Sequence, residues 1–495
     1  MGTVYLLGLD IGTSGCKGVL VDIHGNIKAS LTTRHSISQP QPGWAEHDPE
    51  KNWWDEMVTI IKHCLTTSGI NPKDIAGISA GGLVPNLCPL DEEGNSVRPA
   101  ILYRDNRAVV EAQELSEEFN LTLGAADVTP KLYWLKKYEP ENYKKIKVVL
   151  NAHSYIAYKL TGNFNADCDI ANIFGGVFDL EKQDWDYDLF KRMGLNPEVL
   201  PPIFRPTDVV GTVSKEAAAA TGLAPGIPVV AGNGDSFMSL LGAGVVDPGD
   251  AMLYFGTAGT MLVCEDSLVK SASSQVIRKG SVEFLANILT GGELTRWFRE
   301  QLQIGENVPD YPTLESLASE IVPGSEGLII LPHLMGERTP GNNPLAKGVM
   351  IGLTTAHTGA HIYRALMESF GYALLHSLEQ TNAVIKRVVA TGGGAKSSLW
   401  RQIVTDITGL PLEYISKSDA ALGNAYFAGY SLGLFSDFAP MKNEWLKVDE
   451  VTKVNPESHK IYSRYFNLYK EINSMLKPAF VSLADIYSST CGGGK

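Results

Sequence analysis

The sequence has no hydrophobic run approaching the roughly 18 apolar residues that a membrane span requires. Met1–Leu9 leads directly into a strand pattern without a basic flank, so no signal peptide is predicted. The six cysteines are scattered and form no C-x-x-C pair, which disfavours a disulfide framework or a redox motif. These absences lead us to expect a cytoplasmic protein with reduced, packing cysteines.

Positive charge is also scarce relative to negative charge. The chain has 42 Lys and Arg against 55 Asp and Glu, a net charge of −13. This excess of acid disfavours nucleic acid and anionic membranes as partners, although a local basic pocket for a small phosphate is compatible with it. We therefore expect a small-molecule ligand.

Several common signatures are missing as well. Gly12–Lys17 lacks the spacing of a Walker motif, and Gly232–Phe237 lacks the third glycine of a dinucleotide fingerprint. His357 and His361 stand four apart without the glutamate of H-E-x-x-H, which disfavours a metal site there.

The 495 residues exceed what one hydrophobic core usually holds, so two domains are expected. At the start, apolar runs at Val4–Asp10, Gly18–Asp22 and Ile27–His35 predict an antiparallel meander whose first turn, Gly12–Gly15, consists of small residues. Such a turn lets backbone N–H groups approach an anion closely, but a plain hairpin turn fits the pattern too.

The second half begins with the same pattern. FGTAG at Phe255–Gly259 matches IGTSG at Ile11–Gly15, each at the turn of a predicted hairpin. A repeat at half the chain length suggests two homologous halves. We predict domains at residues 1–246 and 247–488, followed by a disordered tail at 489–495.

Other stretches place polar groups at strand ends. Ile227–Ala231 predicts a strand that leads to Asp235, and Arg387–Ala390 predicts one that leads to a glycine-rich turn at Thr391–Ala395. The polar residues Arg104–Arg107 follow the predicted strand Ala100–Tyr103, as a ligand site or as a solvated loop. Val109–Leu223 is mostly helical in pattern, and its fold is not predicted.

Together these groups describe one reaction. Two Gly/Thr turns facing each other across a cleft would surround the phosphates of a nucleotide. Asp10 would face Mg²⁺ through water, and Lys17 would add a positive charge toward phosphate. Asp235 would then be free to remove the proton of an attacking hydroxyl.

Three stretches carry a resemblance to a known family: LDIGTSGCK, GNGD before YFGTAGT, and TGGGAKSSLWRQIVTDITGLPLE. With them, the sequence resembles the FGGY carbohydrate kinases over nearly its whole length. The resemblance implies an α/β fold of two ribonuclease-H-like domains of the actin and hexokinase superfamily, with a ligand cleft between them. It also implies Mg-ATP as the phosphoryl donor, a sugar or polyol as the acceptor, and a homodimer.

The resemblance also assigns residues. It implies Asp235 as the catalytic base and Asp10 as the group that holds Mg²⁺ through water. The ATP-binding residues that it implies are Gly12, Thr13, Ser14, Lys17, Gly256, Thr257, Gly259, Gly392, Gly393, Gly394 and Ser398. The implied substrate-binding residues are Gly82, Leu83, Arg104, Asp105, Asp235 and Ser236.

The sugar is less sharply indicated. QPQPGWAEHDPEKNWW and RPAILYRDNRA resemble the xylulokinase branch, which favours a pentulose such as xylulose. Gly82 and Leu83 stand where that branch carries Met-His, and Ser236 replaces its usual amide residue. A kinase of ribulose, glycerol, a tetrulose or another ketose or polyol is the alternative, as is a non-catalytic ATP- and sugar-binding regulatory protein on the same fold.

Overall fold

The computed structural model describes residues 4–265, 282–302 and 308–491. By their contacts, these residues form two compact units. The first unit, here the first domain, contains 4–246 and 417–446, and the rest forms the second domain. The segment 417–446 thus packs with the first domain, although the sequence alone had placed it with the second half.

Short strands and helices alternate through residues 4–246. The strands are β1 (Tyr5–Gly12), β2 (Gly15–Asp22), β3 (Ile27–Thr32), β4 (Glu46–His47), β5 (Ile75–Gly82), β6 (Cys88–Leu90), β7 (Ala100–Ile101), β8 (Val148–Leu150), β9 (Ala166–Asp167), β10 (Phe178–Asp179), β11 (Asp184–Trp185), β12 (Ile203–Phe204), β13 (Val209–Thr212) and β14 (Pro228–Gly234). The helices are α1 (Glu56–Ser68), α2 (Val109–Phe119), α3 (Val128–Tyr138), α4 (Pro140–Tyr143), α5 (Ala152–Thr161), α6 (Cys168–Asn172), α7 (Tyr187–Arg192), α8 (Lys215–Thr221) and α9 (Asp235–Gly242).

The described residues after 246 follow the same alternation. The strands are β15 (Asp250–Phe255), β16 (Gly259–Cys264), β17 (Val282–Ile288), β18 (Ile329–Leu331), β19 (Val349–Ile351), β20 (Arg387–Thr391), β21 (Leu412–Tyr414) and β22 (Glu450–Thr452). The helices are α10 (Gly292–Trp297), α11 (Tyr311–Ser319), α12 (Gly359–Leu378), α13 (Ser398–Thr408), α14 (Ala420–Ser431), α15 (Pro456–Met475) and α16 (Lys477–Cys491). The predicted tail begins inside α16, and its residues 492–495 lie outside the described residues.

The two domains contain six-stranded sheets of the same topology. In the first, the order is β13-β14-β5-β1-β2-β3, with β1, β2 and β3 antiparallel and β1, β5 and β14 parallel. In the second, the order β17-β16-β15-β20-β21-β22 repeats this arrangement, with its meander at β15–β17 and its parallel strands at β15, β20 and β21. The predicted α/β class and the two homologous halves are confirmed.

The strand β3 ends earlier than the sequence pattern predicts. Its ladder stops at Thr32, and the next residues fold back onto the first hairpin: the Thr33 N–H donates to the Cys16 carbonyl, and the His35 N–H donates to the Ser14 carbonyl. Residues 33–35 therefore bond to the first hairpin and do not extend the strand. The insert at 109–223 contains the helices α2–α8, in agreement with its mostly helical pattern, together with the short strands β8–β13. Part of it forms a buried cluster with Leu87 and Ile101.

Helix α14 packs directly against β1 through glycine. A Cβ atom placed on Gly8 would lie 1.9 Å from the Ala421 carbonyl oxygen and 2.4 Å from the Ala425 nitrogen. Backbone atoms at these distances cannot yield without moving the helix. Gly8 therefore fixes how closely α14 approaches the strand that carries Asp10.

We expect Gly8→Ala to destabilise the protein by about 1–3 kcal/mol because it overpacks this contact. Urea unfolding followed by circular dichroism measures the change. Gly124→Ala is the matched control, since a Cβ there would meet nothing closer than 3.9 Å. Equal midpoints for the two variants would contradict the close-packing argument.

Within the described residues, no helix is both long and apolar enough to cross a membrane.

Candidate active site

Asp10 lies near the end of β1, just before the hairpin turn that joins β1 to β2. It pairs with Lys17 across the β1–β2 ladder, so the two side chains project from the same face. Its Oδ1 atom is buried and has no hydrogen-bond partner among the described residues. Burial, and then the charges of Asp235 and Asp419, raise the pKa of Asp10 well above its usual value, and Lys17 opposes them.

This group of charges fits a divalent cation. The carboxylates of Asp10, Asp235 and Asp419 influence one another, with the single ammonium of Lys17 among them, which leaves an excess of negative charge. A buried carboxylate oxygen without a partner is the kind of ligand that Mg²⁺ takes, while it keeps several waters of its own. The residues present are therefore compatible with a magnesium ion beside Asp10.

Asp419 belongs to this group although the sequence analysis did not single it out. Its Oδ2 forms an ion pair with Lys17, 402 positions away in the chain, and its Oδ1 accepts a hydrogen bond of 2.9 Å from the Leu422 N–H as the N-cap of α14. An aspartate before a run of small residues is a helix-start signal that could have directed attention to it. The ion pair also means that Lys17, predicted to face phosphate, has a protein partner here.

Close packing of two helices holds Asp419 in place. A Cβ atom on Gly242 of α9 would lie 1.9 Å from the Asp419 carbonyl oxygen, and one on Gly423 of α14 would lie 2.1 Å from the Met238 carbonyl oxygen. Since α9 begins with Asp235, the same contact fixes the Asp419 backbone relative to the predicted catalytic base. The small residues of α14 therefore let the helix position the Asp419 carboxylate.

Asp235 is the first residue of α9 and follows β14 directly. Its side chain is partly buried, and burial raises its pKa to about 6. The Ser236 backbone N–H and hydroxyl and the charge of His153 act in the opposite direction. A carboxyl group with a pKa near neutrality accepts a proton from a reacting hydroxyl more readily than an ordinary aspartate does.

His153 is a neighbour of Asp235 that the sequence analysis missed. Its Nε2 lies 2.7 Å from Asp167 Oδ2, and both side chains are fully buried. A second buried carboxylate, Asp169, accepts a 2.9 Å hydrogen bond from the Asn233 amide, two residues before Asp235. A lone histidine in a helical segment gives no sequence signal of this pairing.

The first hairpin turn is as tight as its composition predicts. Gly12 and Gly15 pair with each other, which leaves Thr13 and Ser14 as a two-residue loop with Ser14 exposed. A Cβ atom on Gly15 would lie 2.0 Å from the Thr33 carbonyl oxygen, so glycine is required there. Thr13 Oγ1 lies 3.3 Å from the hydroxyl of Tyr103, which brings the loop after β7 beside the hairpin.

The predicted sugar-binding residues differ in exposure. Arg104 and Ser236 are exposed. Gly82 ends β5 and is buried, and a Cβ atom there would lie 3.1 Å from the backbone nitrogen of His153. The Leu83 side chain is fully buried in the core of the first domain.

Asp105 is also fully buried and has protein partners at both carboxylate oxygens. Its Oδ1 accepts hydrogen bonds from the Arg107 backbone N–H and Nε, and its Oδ2 accepts from Arg107 Nη2 and from the Ala45 N–H at 2.6 Å. The Arg107 guanidinium stacks on Trp44 at 3.7 Å and also pairs with Glu46. In this structure Asp105 is thus part of an ionic cluster behind the exposed Arg104.

The second domain assembles its own predicted phosphate residues. The turn between β15 and β16 contains Gly256, Thr257 and Gly259, and it rests on the start of α10: the Gly291 N–H donates to the Thr257 carbonyl and the Gly292 N–H to the Gly256 carbonyl. The sequence analysis did not single out this glycine pair.

The glycine-rich turn after β20 lies beside the same hairpin. Gly392 has φ of +89°, and a Cβ atom there would lie 2.8 Å from the Phe255 carbonyl oxygen, so glycine is required on both counts. Gly393 is exposed with open space around it, whereas Gly394 packs under Trp400. The structure therefore brings Gly392–Gly394 and the second hairpin together within the second domain.

Ser398 is exposed as the first residue of α13. The residue that caps this helix is its neighbour Ser397, whose hydroxyl accepts a hydrogen bond of 3.1 Å from the Trp400 N–H. Ser397 is buried, so its role is structural, and Ser398 is the serine that is open to a ligand.

Two mixed sheets of the same topology, each with a small-residue hairpin between two of its strands, and a carboxyl group next to one of them are compatible with a two-domain phosphotransferase. The family comparison agrees. Residues 5–242 match the N-terminal domain and residues 251–432 the C-terminal domain of the FGGY family of carbohydrate kinases. The chain belongs to this family and is a carbohydrate kinase, and members of the family use ATP.

Curated relatives and solved structures cover nearly the whole chain. Xylulose kinase of Escherichia coli is 32% identical over 85% of this chain and 89% of its own, and autoinducer-2 kinase of the same species is 30% identical over 92% of each. The crystal structure of xylulose kinase from Rhodospirillum rubrum has a TM-score of 0.81 at 30% identity and covers 96% of this chain and 99% of its own. That of gluconate kinase from Lactobacillus acidophilus has a TM-score of 0.83 at 26% identity, with 97% and 100% covered.

Proposed function

We propose that this protein transfers the γ-phosphoryl group of ATP to a hydroxyl of an uncharged ketose, with a pentulose such as xylulose as the first candidate. The observation that carries the proposal is the position of Asp235, at the start of α9 beside Asp10 and with a pKa raised to about 6. The similarity to xylulose kinases supports the pentulose.

In this proposal, Asp235 accepts the proton of the attacking sugar hydroxyl. The hydroxyl oxygen forms its new bond to phosphorus, ADP leaves, and the Asp235 proton passes to solvent afterwards. Thr13 and Ser14 in the first domain, and Gly256, Thr257 and Gly259 in the second, supply backbone and hydroxyl contacts to phosphate. Gly392–Gly394 and Ser398 hold the adenosine.

Asp10 would hold a magnesium ion through water, and Lys17 would exchange Asp419 for a phosphate oxygen. When bound, the magnesium ion supplies charge neutralisation for the phosphates. The buried oxygen of Asp10 without a protein partner supports this assignment. Gly82, Leu83, Arg104, Asp105 and Ser236 remain the proposed sugar side of the site, with Leu83 and Asp105 acting from beneath its surface.

Charge around Asp235 supports a neutral acceptor. The carboxylates of Asp10, Asp235 and Asp419 lie together with the ammonium of Lys17, so negative charge dominates on this side. A sugar acid would bring a further carboxylate against these groups, and like charges that are placed together in a poorly solvated site cost several kcal/mol. This distinguishes ketoses and polyols from aldonates.

An ADP-release screen over pentuloses, hexuloses, tetruloses, polyols, aldonates and the autoinducer-2 precursor tests the proposal. We expect xylulose or another neutral ketose to give the highest kcat/KM, at least tenfold above that of any aldonate. Gluconate as the best acceptor would contradict the neutral-acceptor argument. ATP turnover that depends on none of these compounds would favour a regulatory protein on the same fold.

The raised pKa of Asp235 predicts a pH dependence. Because the base must be ionised, kcat/KM should rise with pH through about 6 and level off above 7. A pH series from 5 to 8.5 with the best acceptor, in a buffer of constant ionic strength, measures this rise of kcat/KM. A flat profile across this range would mean that no group with this pKa is needed in its ionised form.

A further inference from the structure

A second cluster of ligand-type side chains lies behind the first hairpin, outside the groups used above. Cys16 is on β2, His35 lies just after β3, and Glu56 begins α1. Each offers a ligand atom, and these atoms all lie within 4.8 Å of one another. Cys16 is fully buried, and the side chains of His35 and Glu56 are 3% and 15% exposed.

The contacts within the cluster leave ligand capacity unused. His35 Nδ1 lies 3.1 Å from Glu56 Oε1, and the other oxygen of Glu56 accepts a hydrogen bond from Thr33 Oγ1. His35 Nε2 is buried without a hydrogen-bond partner among the described residues. A buried ring nitrogen without a partner has lost its solvation without compensation, and a ligand at the cluster would restore a partner to it.

His47 forms one wall of the cluster and is not itself a ligand. Its ring packs edge-on against the His35 ring at 4.5 Å. Its Nδ1 lies 3.1 Å from Trp53 Nε1, an obligate donor, so Nδ1 accepts and the proton of the neutral ring is on Nε2. A ring with both nitrogens occupied in this way has no lone pair to give to a metal ion. The candidate set is therefore Cys16, His35 and Glu56.

The chemistry of this set differs from that of Asp10. Mg²⁺ takes hard oxygen ligands, whereas a thiolate, an imidazole and a carboxylate together suit Zn²⁺ and similar transition-metal ions. We propose that Cys16, His35 and Glu56 form a binding site for a Zn²⁺-type divalent ion, with a water as the fourth ligand.

Binding releases one proton. The Cys16 thiol is protonated in the free protein because burial, and then the charge of Glu56, raise its pKa well above the usual value. On binding, the S–H bond breaks, the proton goes to solvent, and the sulfur donates its lone pair to the ion. Glu56 contributes a carboxylate oxygen, and His35 contributes the lone pair of a ring nitrogen.

The position of the site connects it to the first hairpin. The Thr33 N–H donates to the Cys16 carbonyl at 2.9 Å, and the His35 N–H donates to the Ser14 carbonyl at 3.1 Å. An ion that draws these side chains together would therefore shift the turn that contains Thr13 and Ser14. We infer that occupancy changes the KM for ATP, a second step that rests on the proposed function, whereas the binding step does not.

Cobalt(II) titration of the full-length protein tests the binding step. We expect one equivalent to produce a thiolate-to-cobalt charge-transfer band in the near ultraviolet and tetrahedral d–d bands, both removed by Zn²⁺. Cys16→Ser should abolish the charge-transfer band, and His35→Gln should weaken Co²⁺ binding at least tenfold. Cys88→Ser, at a cysteine of equal burial on β6, is the matched control and should retain both features.

Two outcomes would overturn the site: wild-type protein without a thiolate band, or a His35→Gln variant that binds as tightly as wild type. The His35 variant keeps the test decisive if Cys16→Ser does not fold.

For the second step, Zn²⁺ at one equivalent should change the KM for ATP at least twofold in wild type and Cys88→Ser, but not in Cys16→Ser. An unchanged KM together with a clear thiolate band would contradict the coupling but not the metal site. Absence of any kinase activity would contradict the proposed function but not the metal site.

Discussion

Asp235→Asn is expected to lower kcat by about 10²- to 10⁴-fold, the range that a positioned general base contributes. Asparagine keeps the shape of the side chain and its place at the start of α9, but it cannot accept the proton of the sugar hydroxyl. Binding of ATP should stay within about threefold of wild type, because Asp235 has no proposed contact with the nucleotide. Initial rates of ADP release and a fluorescent-nucleotide titration give the two quantities.

Asp188→Asn on α7 is the matched control, since that aspartate is exposed and far along the chain from every proposed site residue. Its kcat should equal that of wild type. The acid limb near pH 6 should also disappear from the residual rate of Asp235→Asn, which links the two observations to one group. Full sugar phosphorylation by Asp235→Asn would show that the base is another residue.

The second large effect is expected at Asp10. Asp10→Asn should lower kcat/KM by about 10²-fold or more and raise the Mg²⁺ concentration needed for half-maximal rate at least tenfold. The amide removes the charge that orients the hydrated ion, and metal-mediated charge stabilisation contributes several kcal/mol to such reactions. Rates measured across a Mg²⁺ series at fixed ATP give both values.

Stability separates this effect from simple damage to the fold. The folded-state pKa of Asp10 is raised, so the folded protein favours the protonated form, and ionisation of Asp10 at neutral pH opposes folding. A neutral amide removes that penalty, and the Tm of Asp10→Asn should equal or exceed that of wild type. Asp74→Asn, an exposed aspartate just before β5, should change neither rate nor Tm. A lowered Tm with an unchanged Mg²⁺ requirement would mean that Asp10 is structural.

Several features of the fold could be predicted from the sequence because they depend on local chain geometry. The alternation of apolar residues and the small-residue turns predicted the first meander and the second hairpin, and the match of IGTSG to FGTAG predicted two homologous halves, whose sheets share one topology. The boundaries were less accurate where tertiary contacts intervened. The third strand of the first meander, for example, ends at Thr32 and not at His35, because the next residues bond to the first hairpin.

The environment of the residues proposed to bind the sugar depends more on the tertiary structure. RPAILYRDNRA identified a polar loop, but it could not show that Asp105 is enclosed by Arg107 and Ala45 while Arg104 faces outward. Burial of a charged side chain is decided by partners from distant segments, since an isolated ion pays a large desolvation penalty unless others offset it. The pairing of His153 with Asp167 depends on the same kind of contact.

The sequence by itself determined the fold class, the paired hairpins and Asp235 at a strand end, because strand periodicity and turn chemistry act over a few residues. Only the tertiary structure placed Asp419 on Lys17, 402 positions away, and gathered Cys16, His35 and Glu56 behind the first hairpin. Such groups form when separate helices and strands pack, and the spacing of residues along one chain does not record which of them will meet.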